Sequence, residues 1–271
     1  MYITNDPVVA ASAQAAGVER IFIDLEINGK EKRQGHLDTV ISRHSMADVA
    51  RVRTVLDTSE LLVRVNPVFE DSREEINTVI ESGADVVMLP YFKTRREVET
   101  FVGLVDGRAK VCLLCETKEA AAGIDDILEV DGIDQVHVGI NDLCISFGHE
   151  FMFQEVANGT VEKLCASFKR ARVSYGFGGL ARLGAGALSA EYVLGEHYRL
   201  GSGNIILSRA FCDTSKVADY DEIDRILREG VREVRAYEEF LSRQDGAFFE
   251  DNHRTVQKKV DLIVERIRNS R

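Results

Sequence analysis

The sequence of 271 residues lacks the features that mark membrane and secreted proteins. It contains no apolar run approaching the roughly 20 residues that a membrane-spanning helix needs. The N-terminal stretch MYITNDPVVA has no basic segment followed by an apolar segment, as a secretory signal peptide would. These absences predict a cytoplasmic protein with no membrane partner.

Positive charge is also scarce. Lysine and arginine number 34 against 45 aspartates and glutamates, so the formal net charge is -11 and the pI is about 5.1. Nucleic acids and anionic membranes are bound through cationic surfaces. The charge balance therefore argues against both as the main partner and favours a small-molecule ligand.

The cysteines are few and odd in number, with five in the chain. Cys112 and Cys115 form a C-x-x-C within KVCLLCE, but this segment reads as a strand, and their side chains would point to opposite faces. We therefore predict reduced, buried thiols rather than disulfides, a zinc site or a redox pair.

Short β-branched runs alternate with helix-like stretches along most of the chain. Strands this apolar, separated by helices, predict a parallel sheet that is buried on both faces. Eight such units indicate a (β/α)8 TIM barrel, whereas the rival doubly wound sheet has no G-x-G-x-x-G after its first strand to support it. The predicted strands are Tyr2–Thr4, Arg20–Leu25, Leu61–Val65, Asp85–Leu89, Lys110–Cys115, Gln135–Gly139, Ser174–Gly178 and Asn204–Ser208.

The pattern changes after the last strand, where two segments carry apolar residues at helical spacing. They run over 221–243 and 255–267. We assign 1–215 to the barrel and its catalytic site, and 216–271 to additional C-terminal helices within a single domain. These helices close the barrel, and their apolar faces pack either on the barrel itself or on another subunit of a homo-oligomer.

Polar residues collect where the predicted strands end. The C-terminal strand ends of a (β/α)8 barrel form one surface and carry its chemistry. The residues at these ends are Asn5, Asp6, Asp24, Glu26, Arg64, Asn66, Tyr91, Glu116, Asn141, Asp142, Gly178, Gly179, Ser208 and Arg209. This ring predicts an active site rather than a structural feature.

Two acids in the ring, Glu116 and Asp142, lie on neighbouring strands. Like charges repel, and a divalent cation between them would remove the conflict, with oxygen ligands that suit Mg²⁺ or Mn²⁺. The alternative is that each carboxylate caps the helix or turn that follows it. For the pair together we favour the metal, with open positions for water and a chelating 2-oxo acid.

Substrate binding is predicted for other members of the ring. Arg64 sits inside the apolar strand LLVRVNP and needs an anion, which is Asp24, Glu26 or a substrate carboxylate. The glycine-rich stretch GFGGLARLGAG follows the seventh strand, where barrels bind phosphate or carboxylate groups through backbone N–H groups. The substrate-binding set is Arg64, Asn141, Gly178, Gly179 and Ser208.

Five segments resemble the HpcH/HpaI aldolase and citrate lyase β-subunit family: RIFIDLE, LLVRVNP, SGADVVMLPYFKTRREVETFV, CLLCETKEAA and VHVGINDLCISFG. The resemblance spans roughly the first half of the chain. It implies that Glu116 and Asp142 bind a divalent metal (Mg²⁺, Mn²⁺ or Co²⁺) and that Arg64 binds the oxo-acid carboxylate. It also implies the making or breaking of a carbon–carbon bond through a metal-stabilised pyruvate enolate.

The loop after the second strand departs from both branches of the family. The aldolase branch carries a histidine where this chain has Ile27, whereas DLEINGKEKRQGH resembles the lyase branch through Lys30 and Arg33. His36 and His44 lie on the same loop and are candidates for the missing base. The predicted catalytic residues are Arg64, Asp24, Glu26 and His44.

These inferences favour a metal-dependent, class II type lyase that acts on a 2-oxo acid, in a homo-oligomer that is a trimer or hexamer. One alternative is a citrate-lyase-like enzyme acting on an acyl-CoA or related thioester, with Lys30, Arg33 and Arg182 as phosphate-binding residues. A phosphoenolpyruvate mutase or transferase is another. The non-enzymatic alternative is a barrel that serves only as a binding module.

Overall fold

The computed structural model describes residues 1–28 and 44–270 and shows a closed barrel of eight parallel strands in chain order. The predicted residues Lys30, Arg33 and His36 lie outside the described residues. The strands are β1 Tyr2–Ile3, β2 Arg20–Asp24, β3 Glu60–Arg64, β4 Val86–Leu89, β5 Lys110–Cys115, β6 Gln135–Val138, β7 Ser174–Leu180 and β8 Asn204–Leu207.

Backbone pairing closes the barrel without a break. Each strand pairs in parallel with its successor, and β8 returns to β1 through the pair Tyr2 and Leu207. Such a sheet has no edge, and its strands are covered on both sides, which explains their apolar composition. The predicted (β/α)8 barrel is confirmed.

Helices surround the barrel and begin soon after most strand ends. They are α1 Pro7–Ala15, α2 Met46–Arg53, α3 Ser72–Glu81, α4 Arg95–Val105, α5 Lys118–Ala122, α6 Ile124–Ile127, α7 Ile140–Phe147, α8 Gln154–Ala157, α9 Thr160–Ala171, α10 Ala190–Leu200, α11 Tyr220–Leu241 and α12 Gly246–Asn269. No helix within 1–28 or 44–270 is long and apolar enough to cross a bilayer.

The apolar residues form two layers, one inside the barrel and one between the barrel and its helices. The inner cluster contains Phe22, Leu62, Met88 and Cys112, whereas Cys115 belongs to the outer layer. The two cysteines therefore point to opposite sides of β5, as predicted. All five thiols are free and buried.

The C-terminal helices pack on the barrel of their own chain. Helix α11 contacts α1, and α12 contacts α10 and α8. The second contact is polar at its centre, because the buried Glu196 of α10 accepts a hydrogen bond from the Asn252 side chain and lies 2.9 Å from His253 Nδ1. These contacts anchor the last helix to α10 and α8 of its own chain.

Candidate active site

A buried ion pair joins the C-terminal ends of β2 and β3. Arg64 donates from Nε to Asp24 Oδ1 and from Nη2 to Asp24 Oδ2, both at 2.8 Å, and its Nη1 lies 3.4 Å from Glu26 Oε2. Asp24 and Arg64 are direct cross-strand partners. This bidentate geometry holds the guanidinium plane in one orientation.

The charge on Arg64 is secured by its neighbours. Burial lowers the pKa of this guanidinium, but the charges of Asp24, Glu26 and Glu116 raise it by a larger amount. The net shift of the pKa is therefore upward. Asp24 and Glu26 are 2% and 1% exposed, while the Arg64 side chain is 13% exposed. The arginine is therefore a fixed cation whose field reaches Glu116.

His44 lies beside this ion pair, since the backbone N–H of Asp24 donates to His44 Nδ1 at 3.0 Å. That hydrogen bond requires a lone pair on Nδ1, so a neutral His44 carries its proton on Nε2. His44 can then donate a hydrogen bond through Nε2, and its Nδ1 is already occupied.

Asn66 fixes the start of the loop after β2. Its Oδ1 accepts hydrogen bonds from the backbone N–H groups of Ile27 and Asn28, both at 2.9 Å. Its own backbone and side-chain N–H groups donate to Glu75 of α3 at 3.1 and 2.6 Å. Glu26 thus precedes a turn that is tied to two other elements.

Glu116 follows β5 and is 2% exposed. Its Oε1 accepts a hydrogen bond from the backbone N–H of Tyr91, at the end of β4, at 3.0 Å. The helix that follows is capped instead by Thr117, whose Oγ1 accepts from the Ala120 N–H. The alternative in which Glu116 caps this helix is therefore wrong.

Asn141 and Asp142 lie in the first turn of α7, which begins directly after β6. Both side chains are half-buried. The N-terminal end of a helix favours negative charge, which suits a carboxylate or an anionic ligand at this position.

Gly178 and Gly179 lie within β7, which continues to Leu180, two residues beyond the predicted strand end at Gly178. The pairing register shifts between Gly176 and Gly179, so the strand bulges there. His137 Nε2 donates to the Gly178 carbonyl at 3.1 Å. A Cβ on Gly179 would lie 3.5 Å from Cβ of Ser208, so these predicted substrate-binding residues adjoin.

The residues present fit a divalent cation held by few protein ligands. The Glu116 carboxylate is packed against Gly139, where a Cβ would lie only 2.7 Å from Oε2, and Asp142 follows three residues later. Within the described ranges, no group of three or more His, Cys, Asp or Glu residues is arranged to hold a metal. Glu116 and Asp142 would thus supply two hard oxygen donors, leaving further positions for water or substrate.

Arg182 forms an ion pair with a residue of a C-terminal helix. Its Nη2 donates to Glu233 of α11 at 2.8 Å, and its guanidinium carbon lies 6.0 Å from the centre of the Phe211 ring. These contacts give the residue a structural partner in place of the coenzyme phosphate that the sequence suggested.

The sequence interpretation missed several residues that support the site. These residues are Thr117, Gly139 and His137. The alternation in QVHV places His137 on the inner face of its strand. Periodicity was the available signal for His137. For Gly139, the signal was its position between a strand and the N-D pair.

Comparisons with known proteins identify the family. Residues 2–175 match HpcH/HpaI aldolase/citrate lyase. The chain is 39% identical over 92 residues to a hydroxypyruvate/pyruvate aldolase of Rhizorhabdus wittichii, covering 31% of this chain and 34% of that protein. It is 29% identical over 114 residues to a protein of the same name from Sagittula stellata, covering 31% of this chain and 45% of that protein. The chain thus matches less than half the length of these relatives.

A solved structure extends the likeness over the whole barrel. An HpcH/HpaI aldolase/citrate lyase family protein from Burkholderia cenocepacia J2315 superposes with a TM-score of 0.61 at 19% identity, covering 87% of this chain and 94% of that one. At this identity the likeness shows the fold alone. Because the family match runs from residue 2 to residue 175 of 271, and so includes Arg64, Glu116 and Asp142, the chain belongs to the HpcH/HpaI aldolase/citrate lyase family.

Proposed function

We propose that the protein is a divalent-metal-dependent lyase that makes or breaks a carbon–carbon bond next to the oxo group of a 2-oxo acid, with pyruvate as the nucleophilic half. The observation that carries the proposal is the oriented Arg64, held by Asp24 and Glu26 within the electrostatic reach of Glu116. The names of the two curated relatives, hydroxypyruvate/pyruvate aldolase, support the choice of substrate class.

The chemistry needs positive charge where an enolate oxygen becomes negative. A divalent cation bound by Glu116 and Asp142 would supply a Lewis acid for the oxo group. Arg64 is already charged and fixed, so it stabilises the developing anion without reorganising. Two of the guanidinium N–H groups donate to Asp24. This fixed orientation directs the remaining N–H groups toward the substrate carboxylate.

The hydrogen bond to His44 Nδ1 favours a hydrogen-bond donor over the base that the position of this residue in the sequence suggested. With Nδ1 accepting from the Asp24 N–H, the ring presents an Nε2 proton. We propose that a neutral His44 serves as a hydrogen-bond donor and not as a base. The turn held by Asn66 keeps Glu26 and the following loop at the edge of this site.

The test is exchange of the pyruvate methyl protons in deuterated water, followed by proton NMR. We expect exchange in the protein loaded with Mn²⁺ or Mg²⁺ and its loss on addition of EDTA. Glu116→Ala and Asp142→Ala should each reduce exchange to the metal-free rate. The matched control is Glu119→Ala, which removes an exposed acid three residues after Glu116 and should leave exchange unchanged. Exchange that survives EDTA would overturn the proposal.

A further inference from the structure

Tyr91 has a backbone conformation that its place in the chain does not explain. In the described parts of the chain, the non-glycine residues with positive φ are Tyr91 at 51°, Asp106 at 52° and Arg172 at 57°. Asp106 and Arg172 end α4 and α9, where a left-handed residue is common. Tyr91 follows a strand and ends no helix. A bulky residue in this region requires compensation from its surroundings.

The compensating contact is made by the backbone of Tyr91. Its N–H donates to Glu116 Oε1 at 3.0 Å, and Glu116 is almost completely buried. A second bond ties the same two segments together, because Thr117 Oγ1 donates to the carbonyl of Phe92 at 2.8 Å. Two hydrogen bonds therefore tie the left-handed turn to the segment that carries Glu116.

This arrangement divides the two oxygens of the Glu116 carboxylate. Oε1 accepts the Tyr91 N–H, while Oε2 faces Gly139, where an added Cβ would lie 2.7 Å away. Gly139 is itself fixed, since its N–H donates to the Cys115 carbonyl at 3.0 Å. Asp142 lies three residues later, in the first turn of α7. Oε2 is therefore turned toward the start of the helix that carries the second acid.

We propose that Tyr91 is a positioning residue for the metal site and that it acts through its backbone N–H rather than its ring. The left-handed turn aims this N–H at Glu116, which fixes the rotation of the carboxylate and presents Oε2 to a cation shared with Asp142. The inference rests on the proposed function, because it assumes that Glu116 is a ligand. Groups that orient metal ligands commonly change metal affinity by about 10- to 100-fold.

The decisive change deletes one N–H and leaves the side chain in place. Incorporation of the α-hydroxy analogue of tyrosine converts the Pro90–Tyr91 amide into an ester. We expect the dissociation constant for Mn²⁺ alone, measured by electron paramagnetic resonance, to rise by about 10-fold or more. Tyr91→Phe and Tyr91→Gly both keep the N–H, and glycine adopts positive φ without strain, so both should bind Mn²⁺ within about threefold of the unmodified protein.

A matched ester at Val111 separates positioning from general loss of stability. The Val111 N–H also donates to a carboxylate, Asp134 Oδ2 at 2.7 Å, but at the start of β5, at the opposite end of the barrel. This ester should lower the melting temperature and leave Mn²⁺ affinity unchanged. Equal Mn²⁺ affinities for the Tyr91 ester and the unmodified protein would overturn the inference, as would an equal loss in both esters.

The unmodified protein and Glu116→Ala, in the same Mn²⁺ titration, test the proposed function separately. If the unmodified protein binds Mn²⁺ and Glu116→Ala does not, the proposed site stands, and the Tyr91 ester alone decides the inference. If the unmodified protein binds no Mn²⁺, the proposed function and the inference fall together.

Discussion

At the scale of single residues, the site depends on a charge that would be costly to bury alone. Arg64 is acceptable at a strand end because Asp24 satisfies two of its N–H groups and Glu26 lies on another side. Removing one partner from such a pair leaves the other buried and uncompensated. Asp24 should therefore contribute to both stability and substrate orientation.

Asp24→Asn tests this dual contribution. The amide keeps the shape of the carboxylate, but it loses the charge and directs an NH₂ group toward an Arg64 donor. We expect the free energy of unfolding in urea to fall by about 3 kcal/mol and the KM for the oxo acid to rise. Glu99→Gln, in an exposed pair with Arg95, is the control and should leave the urea midpoint unchanged. Coincident urea curves for Asp24→Asn and the unmodified protein would contradict the account.

At the scale of elements, the eight strands could be predicted because each is a short apolar run between helical patterns. The strand ends agree with the prediction within one residue except at the end of β7, and tertiary contacts decide that end. β7 continues through Gly178 and Gly179 because His137 and β8 hold the bulge. α7 begins at once after β6 and carries Asn141 and Asp142 in its first turn.

The candidate site was predictable in its charged residues and not in its supports. Asp24, Arg64, Glu116 and Asp142 follow from strand ends and the rule that parallel strands present one edge. The positive φ of Tyr91 carries no comparable signal, because it depends on where another strand places a carboxylate. Positioning contacts of this kind arise from packing between elements that are distant in sequence.

Gly178 connects the bulge of β7 to the start of α7. Its φ is 59°, and a Cβ at this position would lie 2.7 Å from Ile140 Cδ1. We expect Gly178→Ala to crowd the side chain of Ile140, the first residue of α7, and to disturb the helix turn that carries Asp142, so that Mn²⁺ binds more weakly in a calorimetric titration.

Gly184→Ala is a matched control, because Gly184 also has positive φ, at 76°, and nothing lies within 4 Å of an added Cβ. Each substitution should cost about 1 kcal/mol of stability from the backbone alone. Only Gly178→Ala should weaken Mn²⁺ binding. An unchanged affinity in that variant would show that the bulge does not position the helix.

At the scale of the whole molecule, the two ends of the barrel are built for different purposes. The C-terminal end gathers Arg64, Glu116 and the start of α7. The N-terminal end carries Arg20, which is paired with Glu60 and donates a hydrogen bond to Gln135 Oε1. It lies beside a cavity of about 290 Å³. The Arg20 guanidinium there is compensated by these partners, as expected for the stabilising end of such a barrel. Assembly into a trimer or hexamer stays a prediction, for which the exposed Phe240 and Leu262 of the last two helices are the first residues to examine.

Two buried histidines should make the stability of the barrel depend on pH. Burial lowers the pKa of His137 to about 4 and that of His197 to about 3, below the usual 6.5. Below pH 6.5 these histidines bind protons in the unfolded chain but not in the folded barrel. The free energy of unfolding therefore falls on acidification toward pH 4. Each histidine contributes a slope of about 1.4 kcal/mol per pH unit in this window.

His137→Gln isolates one of these slopes, because a glutamine amide can still donate to the Gly178 carbonyl. Urea unfolding at several values between pH 6.5 and 4 should give the variant a shallower dependence, by about 1.4 kcal/mol per pH unit. Carboxylates titrate in the same range in both proteins, so the difference in slope reports His137. Parallel curves for the variant and the unmodified protein would mean that His137 takes up its proton equally in the folded and unfolded states, and that the inner face of β6 is open to water.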